Sequence, residues 1–242
     1  MDQEALFQRL GAQYDVAVRT IAVGPDEAVR LLAVRDTDVL LDRIDPEEFK
    51  RDERLPYWAE IWPAGIGLAR YLVAHPIERD EGVSLPRGVM DLGCGLGLVG
   101  ITAAKMGARV VMCDYERDAL AFARYSAGLN GVAERMTFRQ MDWRCPDLEG
   151  TFRTIMGSDI LYERKDHDYL EAFVERFLEP GGLLLMSDPD RKLGETFVAR
   201  LRDKGYGYER TRMSVDFEGR IEDGAQVMTC AVNVHRLVKP EE

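Results

Sequence analysis

The run Gly88-Val-Met-Asp-Leu-Gly-Cys-Gly-Leu-Gly-Leu-Val-Gly100 constrains this chain more than any other stretch. An apolar strand ends in an acidic residue, Asp91. Alternating Gly93, Gly95 and Gly97 follow, and a helix opens through Ile101–Met106. Glycines at that spacing let the backbone turn sharply and approach a ligand closely, because no Cβ stands in the way. A second apolar strand, Arg109–Asp114, ends in another carboxylate. An acid placed there, about twenty residues after the glycines, takes both hydroxyls of a ribose. The strand–helix–strand unit therefore reads as a nucleoside site.

Which nucleoside derivative it takes turns on Asp91. Gly95, Gly97 and Gly100 also fit GxGxxG, the dinucleotide fingerprint, so the glycines alone do not decide. A dinucleotide lays a pyrophosphate over this loop, and a carboxylate just before the loop repels it. S-adenosylmethionine has no phosphate, and a strand-end carboxylate favours its ammonium and sulfonium charges. A tight strand-to-helix turn with no ligand is the third reading.

Length and charge bound the rest. A chain of 242 residues can bury one large core. The formal net charge of −11 opposes broad contact with a phosphate backbone, which argues against nucleic acid. The same charge attracts a basic acceptor such as a lysine-bearing surface, or serves solubility alone. Cys94, Cys113, Cys145 and Cys230 form no CxxC pair and have no histidine at ligand spacing, so small buried thiols in a reducing compartment are expected and no metal site is. Met1-Asp-Gln-Glu-Ala lacks a basic and apolar leader, and no apolar run reaches membrane-spanning length. A cytoplasmic protein without membrane contact is expected. The oligomeric state stays open, a monomer included.

The pattern divides the chain into an N-terminal extension, 1–54, and a body, 55–242. In the extension a helix is expected over 3–12, with strands Asp15–Val23 and Ala28–Val34 joined by Gly24-Pro25-Asp26. Asp45-Pro46 caps a further short helix. The body continues with helix Arg117–Leu129, strands Met136–Met141 and Arg153–Ser158, helix Asp168–Leu178, strand Gly182–Ser187 and helix Gly194–Lys204. Two alternating strands, Tyr208–Phe217 and Gln226–Leu237, close it, with Glu218-Gly219 and Asp223-Gly224 in the loop between them. Glu171, Glu175 and Arg176 read as a solvated helix face, and His75, His167 and His235 as structural or exposed. The expected fold is α/β: a doubly wound, mostly parallel seven-stranded sheet with an antiparallel C-terminal edge.

Four features together carry a resemblance: Asp91-Leu-Gly-Cys-Gly-Leu-Gly97, Asp114, Asp142-Trp143 and Ser158-Asp159-Ile-Leu-Tyr162. They resemble the seven-β-strand, S-adenosylmethionine-dependent methyltransferases of Rossmann-like fold. Tyr57-Trp-Ala-Glu-Ile-Trp-Pro-Ala-Gly65 and the pair Asp159 and Tyr162 look like the protein-lysine methyltransferase branch, in particular the enzymes acting on the electron-transfer flavoprotein β-subunit. There an Asp-Pro-x-Arg, here Asp188–Arg191, also follows the fifth strand. The resemblance covers roughly residues 55–240 and leaves residues 1–50 without a motif.

It implies roles for single residues. Trp58 and Trp62 lie over the cofactor, and their spacing of four puts both on one face if the segment is helical. Asp142 accepts from an adenine amino group while Trp143 stacks near the ring. Ser158 and Asp159 stand where the fourth strand opens into the cleft. Asp159 and Tyr162 are the expected catalytic pair, holding an incoming amine that must be neutral and in line with the S–CH3 bond. Asp91, Gly93, Gly95, Gly97, Asp114, Asp142, Trp143, Ser158 and the two tryptophans form the expected cofactor site. Methyl transfer to a protein lysine is the expected activity. A small-molecule N- or O-methyltransferase and a non-catalytic binding module are the alternatives. An NAD-dependent oxidoreductase fits less well, for want of a Tyr-x-x-x-Lys after the glycine unit.

Overall fold

A computed structural model describes residues 2–42, 44, 55–77, 88–221 and 224–241. Helix α1 (Gln3–Gln13) leads into an antiparallel hairpin of β1 (Val16–Ala22) and β2 (Ala28–Val34), registered from Val16 opposite Val34 to Ala22 opposite Ala28. A short α2 (Asp38–Leu41) follows. The helix expected after Asp45-Pro46 lies outside the described residues.

The body starts with α3 (Pro63–Ala74), and then β3 (Val89–Leu92), α4 (Leu98–Lys105), β4 (Val110–Asp114), α5 (Arg117–Leu129) and β5 (Met136–Gln140). It continues with β6 (Phe152–Ser158), α6 (His167–Phe177), β7 (Leu178–Asp188), α7 (Lys192–Asp203), β8 (Gly207–Ile221) and β9 (Gly224–Val238). Seven strands pair in the order β5-β4-β3-β6-β7-β9-β8. The first five are parallel, and β9 enters antiparallel between β7 and β8. This is the expected doubly wound sheet with its reversed C-terminal edge.

Period-two alternation explains why the sheet is covered on both sides. Val89, Met112, Met156 and Leu185 face one core, shared with α3, α4, α5 and the N-terminal hairpin. Met90, Cys113, Ile155, Leu184 and Met186 face the other, shared with α6 and α7. Chain order reverses beside β3: the path goes out through β4 and β5, then returns to β6 on the other side. Crevices for ligands open at the carboxyl ends of strands at such a reversal.

Some boundaries differ from the sequence pattern. Helix α6 stops at Phe177 and β7 begins at Leu178, because Pro180 forbids helical continuation and biases Glu179 to extended backbone. The strand is irregular there, its pairing jumping from Phe152–Leu178 to Thr154–Leu183. Glu218-Gly219 is not loop but strand, since β8 runs on to Ile221; Asp223 lies outside the described residues. Glu171 is not simply solvated: it takes Arg200 and Lys204 of α7 in ion pairs at 2.6 and 2.9 Å. Glu175 accepts the Tyr206 hydroxyl at 2.8 Å. The face joins α6 to α7.

The four cysteines are free; Cys94 and Cys113 are buried, whereas Cys145 is exposed because it follows the turn after β5. Among the described residues no helix is long and apolar enough to cross a membrane.

Candidate active site

The cleft lies at the carboxyl ends of β3, β4, β5 and β6, roofed by the segment before α3. Its floor is the glycine turn. Gly93 and Gly95 have φ of +68° and +51°, the left-handed region that side chains disfavour. A Cβ on Gly93 would stand 2.8 Å from Ile160 Cγ2, and one on Gly95 would stand 3.1 Å from the Trp58 carbonyl oxygen. The turn is shaped by its own conformation and by the chain passing over it.

Two carboxylates brace this turn. Asp114, at the end of β4, accepts the Gly95 N–H at 2.8 Å through Oδ2 and the Glu116 N–H at 2.9 Å through Oδ1. It also lines the cleft. Asp91 lies beneath. Its Oδ2 accepts the Gly100 N–H at 2.8 Å, its Oδ1 is buried without a partner, and burial pushes its carboxyl up to about 7. Asp91 and Gly97 do not form part of the cleft wall. Asp91 reaches back to the first turn of α4 through Gly100, and Gly97 packs against Ala123, Ile101 and Met112.

The roof also differs from expectation. Tyr57–Ala59 is one turn of 3-10 helix that ends at Glu60 (φ −90°, ψ 149°), so Trp58 and Trp62 do not share a helix face. Pro63 causes this. It starts α3 at the first helical position and holds Trp62 extended before it. Trp58 points inward, 5.4 Å from the Phe122 ring and 6.0 Å from Tyr14. Trp62 donates its Nε1–H to the Tyr57 carbonyl at 2.9 Å and sits 5.9 Å from the Tyr57 ring. Tyr57 in turn stands edge-on to Tyr162 at 5.6 Å. Both tryptophans still line the cleft.

At the far end β6 opens into the loop Asp159–Tyr162. Ser158 pairs in register with Ser187 of β7, and Asp159 donates its N–H to the Ser187 carbonyl at 2.8 Å. Asp159 has φ of +54°, a strained conformation held by that hydrogen bond and by Arg191, whose Nη1 donates to Oδ1. Asp159 Oδ2 is buried without a partner, and burial raises its carboxyl despite the opposing Arg191 charge. Burial also pushes the Tyr162 hydroxyl up to about 12, keeping it neutral. Arg191 is positioned by Asp188, which accepts the Arg191 backbone N–H at 2.7 Å.

Asp142 and Trp143 line the wall beyond β5. Arg144 occupies the Asp142 carboxylate, with its backbone N–H at 2.9 Å and its guanidinium at 2.7 to 3.0 Å. Trp143 lies over Gly93, its Nε1 buried without a partner.

Several wall residues escaped the sequence reading. Tyr115 follows Asp114 directly, and its place after a strand-end acid was the available signal. Tyr57 sat unassigned within the aromatic segment. Arg191, which grips the wall residue Asp159 from behind, stood in a quoted motif, but its partner is 32 positions away. Along the wall Glu60, Asp114, Glu116, Asp142, Asp159, Glu163 and Asp166 outnumber Arg144 and Lys165. Lys165 is itself paired with Glu163 at 2.7 Å.

The donors present fit S-adenosylmethionine. There is no cation in the glycine turn to meet a phosphate, and Asp114 accepts a hydrogen bond from that turn where it lines the cleft. Aromatic walls flank the cleft, and carboxylates outnumber cations along it. Among the described residues no group of His, Cys, Asp and Glu could hold a metal ion.

Sheet order and cleft together define a Rossmann-like methyltransferase. The chain belongs to the lysine methyltransferase family, whose profile matches residues 48–204. It is 33% identical over 147 residues to the protein N-lysine methyltransferase METTL21A of Xenopus tropicalis, covering 58% of this chain and 65% of that protein. It is 42% identical over 138 residues to the electron transfer flavoprotein beta subunit lysine methyltransferase of Danio rerio, covering 56% of this chain and 51% of that protein. The chain thus spans about half to two thirds of the length of these curated relatives. Among solved structures, a precorrin-6Y C5,15-methyltransferase of Geobacter metallireducens superposes with a TM-score of 0.54 at 18% identity, covering 71% of this chain and 86% of that one. That likeness concerns the fold alone.

Proposed function

We propose that this protein transfers a methyl group from S-adenosylmethionine to a lysine side chain of a protein. The observation that carries the reading is the pairing, in one cleft, of the phosphate-excluding glycine turn over Asp91 with the aromatic and acidic end formed by Tyr57, Asp159 and Tyr162. Family membership and the similarity to two lysine methyltransferases support it.

In this reading Asp114 holds the ribose hydroxyls, Gly93 and Gly95 admit the cofactor's methionine part, and Trp58 and Trp143 wall its adenosine. Bound there, S-adenosylmethionine would supply an electrophilic methyl group to the neutral lysine nitrogen and would leave as S-adenosylhomocysteine. Asp159 binds the incoming amine through its unpartnered Oδ2, and Tyr57 and Tyr162 exclude water around the aliphatic stem. The amine loses its proton to water, because Tyr162 is a poor base and Asp159 is already engaged by Arg191. Residues 1–54 are an extension to the body, residues 55–242, and the described helix and hairpin of the extension brace α5 of the body. From the extension, the Leu32 N–H donates to Ser126 Oγ at 3.0 Å, and Tyr14 donates to Asp118. The protein works in the cytoplasm, where its thiols stay reduced, and without nucleic acid as substrate.

The test is incubation of the pure protein with radiolabelled cofactor and a lysate of its own host. A labelled protein band is expected, lost when the modified lysine is replaced by arginine, since a guanidinium stays protonated and cannot attack. Tyr162→Phe and Asp159→Asn should lower transfer at least tenfold while S-adenosylhomocysteine affinity stays within a few-fold. Label found only in small molecules would overturn the lysine reading.

A further inference from the structure

Strand β9 extends beyond the point where its antiparallel neighbour β7 ends. Its pairing with β7 ends at Asp188 opposite Asn233, whereas its pairing with β8 continues from Val232 opposite Met213 to Gly224 opposite Ile221. Nine residues of β9, 224–232, therefore project beyond the carboxyl edge of the sheet, an arm about 30 Å long at strand rise. Among the described residues they pair with β8 alone, so one edge of this arm is open. That edge continues the lane that β7 vacates at Asp188. The neighbouring lane is the one β6 vacates at Ser158, where Asp159 stands.

The foot of the arm is tied to the same end of the cleft. Asn233 donates to Asp190 Oδ1 at 2.8 Å, and Arg212 of β8 donates to Asp190 Oδ2 at 2.6 Å. Asp190 adjoins Arg191, the residue that grips Asp159. In register, Asn233 of β9 lies opposite Asp188, three residues before Arg191. Farther out, Val227 is 69% exposed and Met228 41%. Successive strand residues point to opposite faces, so both faces of the outer arm carry an uncovered apolar side chain. Proteins normally guard an open, apolar edge strand with charge, proline or a covering element.

We infer that the open edge of β9 over residues 227–232 docks an extended, basic segment of the protein substrate, which adds as a strand and delivers its lysine to Asp159. Strand addition supplies backbone hydrogen bonds in the vacated β7 lane, and Val227 and Met228 supply apolar contact. The carboxylates along the cleft wall and the exposed Asp216 on β8 complement positive residues beside the target lysine. This inference rests on the reading of the acceptor as a protein lysine.

The experiment compares wild type, Val227→Arg with Met228→Arg, and Val227→Ser with Met228→Ser. Arginine is chosen because it cannot itself be methylated as a lysine. Each protein is incubated with radiolabelled S-adenosylmethionine and host lysate, and the labelled band is then recovered and titrated as acceptor. The arginine pair should raise KM for that acceptor at least tenfold and the serine pair about threefold, with kcat and S-adenosylhomocysteine affinity unchanged. Both positions are exposed, so circular dichroism and melting should match wild type. Unchanged KM in both variants, with wild type active, overturns the docking surface and leaves the methyltransferase reading standing. No labelled protein from wild type overturns both. Conversion of a dimer to a monomer by the arginine pair, with KM unchanged, would assign the edge to a second copy of this chain instead.

Discussion

Arg191 and Asp159 form an ion pair at the end of the cleft, with the Asp159 side chain 5% exposed and that of Arg191 38%. The pair is asymmetric. Arg191 engages Oδ1 and leaves Oδ2 buried without a partner, so one acceptor of the carboxylate stays unspent while the guanidinium opposes its charge. A bare carboxylate would hold an amine as its unreactive ammonium. A balanced one can orient the amine and still let the proton leave.

Arg191→Met should accordingly remove the balance and keep the volume. Asp159 would lose the one cation opposing its burial, so its carboxyl would rise further and it would stand protonated nearer neutral pH. The partly exposed guanidinium limits the stability cost to about 1–2 kcal/mol. Methyl transfer should fall at least tenfold, with S-adenosylhomocysteine binding kept within a few-fold by calorimetry. Full turnover in the variant would show that the pairing does not matter to transfer.

Asp91 gives a pH signature with a definite sign. Burial raises its carboxyl from 3.8 to about 7 in the folded chain. Between those values the folded state holds more protons here than the unfolded state, so stability falls as pH rises from about 4 to about 7. Asp91→Asn keeps an acceptor for the Gly100 N–H and removes the titration. The variant should melt at or above the wild-type temperature at pH 7.5, lose the difference near pH 4.5, and bind S-adenosylhomocysteine at least tenfold more weakly. Equal slopes of melting temperature against pH in the two proteins would remove Asp91 as the cause.

Much of this cleft was legible because its chemistry is contiguous in sequence. Gly93, Gly95 and Asp114 announce themselves through one strand–helix–strand unit, and the sheet follows from alternating apolar runs. Two kinds of feature were not legible. Local backbone overrode spacing at Trp58 and Trp62, where Pro63 breaks the helix that would have aligned the rings. Long-range register made the other pairs: Arg191 meets Asp159 because β6 and β7 are neighbours, and His235 meets Asp188 because β9 inserts antiparallel beside β7. Neither partner can be read from either residue's own surroundings in the chain.

Gly95→Ala tests the turn itself. Its φ of +51° costs an alanine roughly 1 kcal/mol, and the added Cβ would meet the Trp58 carbonyl oxygen at 3.1 Å. The roof must lift by a few tenths of an ångström or the turn must flatten, and either change disturbs the Gly95 N–H bond to Asp114. Melting should drop by only a few degrees, while S-adenosylhomocysteine affinity falls about tenfold or more. Unaltered affinity would place the cofactor away from this turn.

The pairing that reaches deepest is His235 with Asp188. Nε2 lies 2.7 Å from Asp188 Oδ2 in side chains 0% and 2% exposed, and Nδ1 lies 3.0 Å from the Tyr208 hydroxyl. With the Nε2 proton donated to Asp188, Nδ1 is left to accept from Tyr208. Asp188 then spends its other oxygen on the Arg191 N–H, so the chain Tyr208–His235–Asp188–Arg191 ends on Asp159. His235→Leu strands a buried carboxylate and should cost about 3 kcal/mol in denaturant unfolding. If the chain positions Arg191, kcat should also fall roughly tenfold with S-adenosylhomocysteine affinity unchanged, and His235→Gln, which can still donate to Asp188, should recover most of it. A leucine variant that is less stable yet turns over at the wild-type rate would confine His235 to holding the fold.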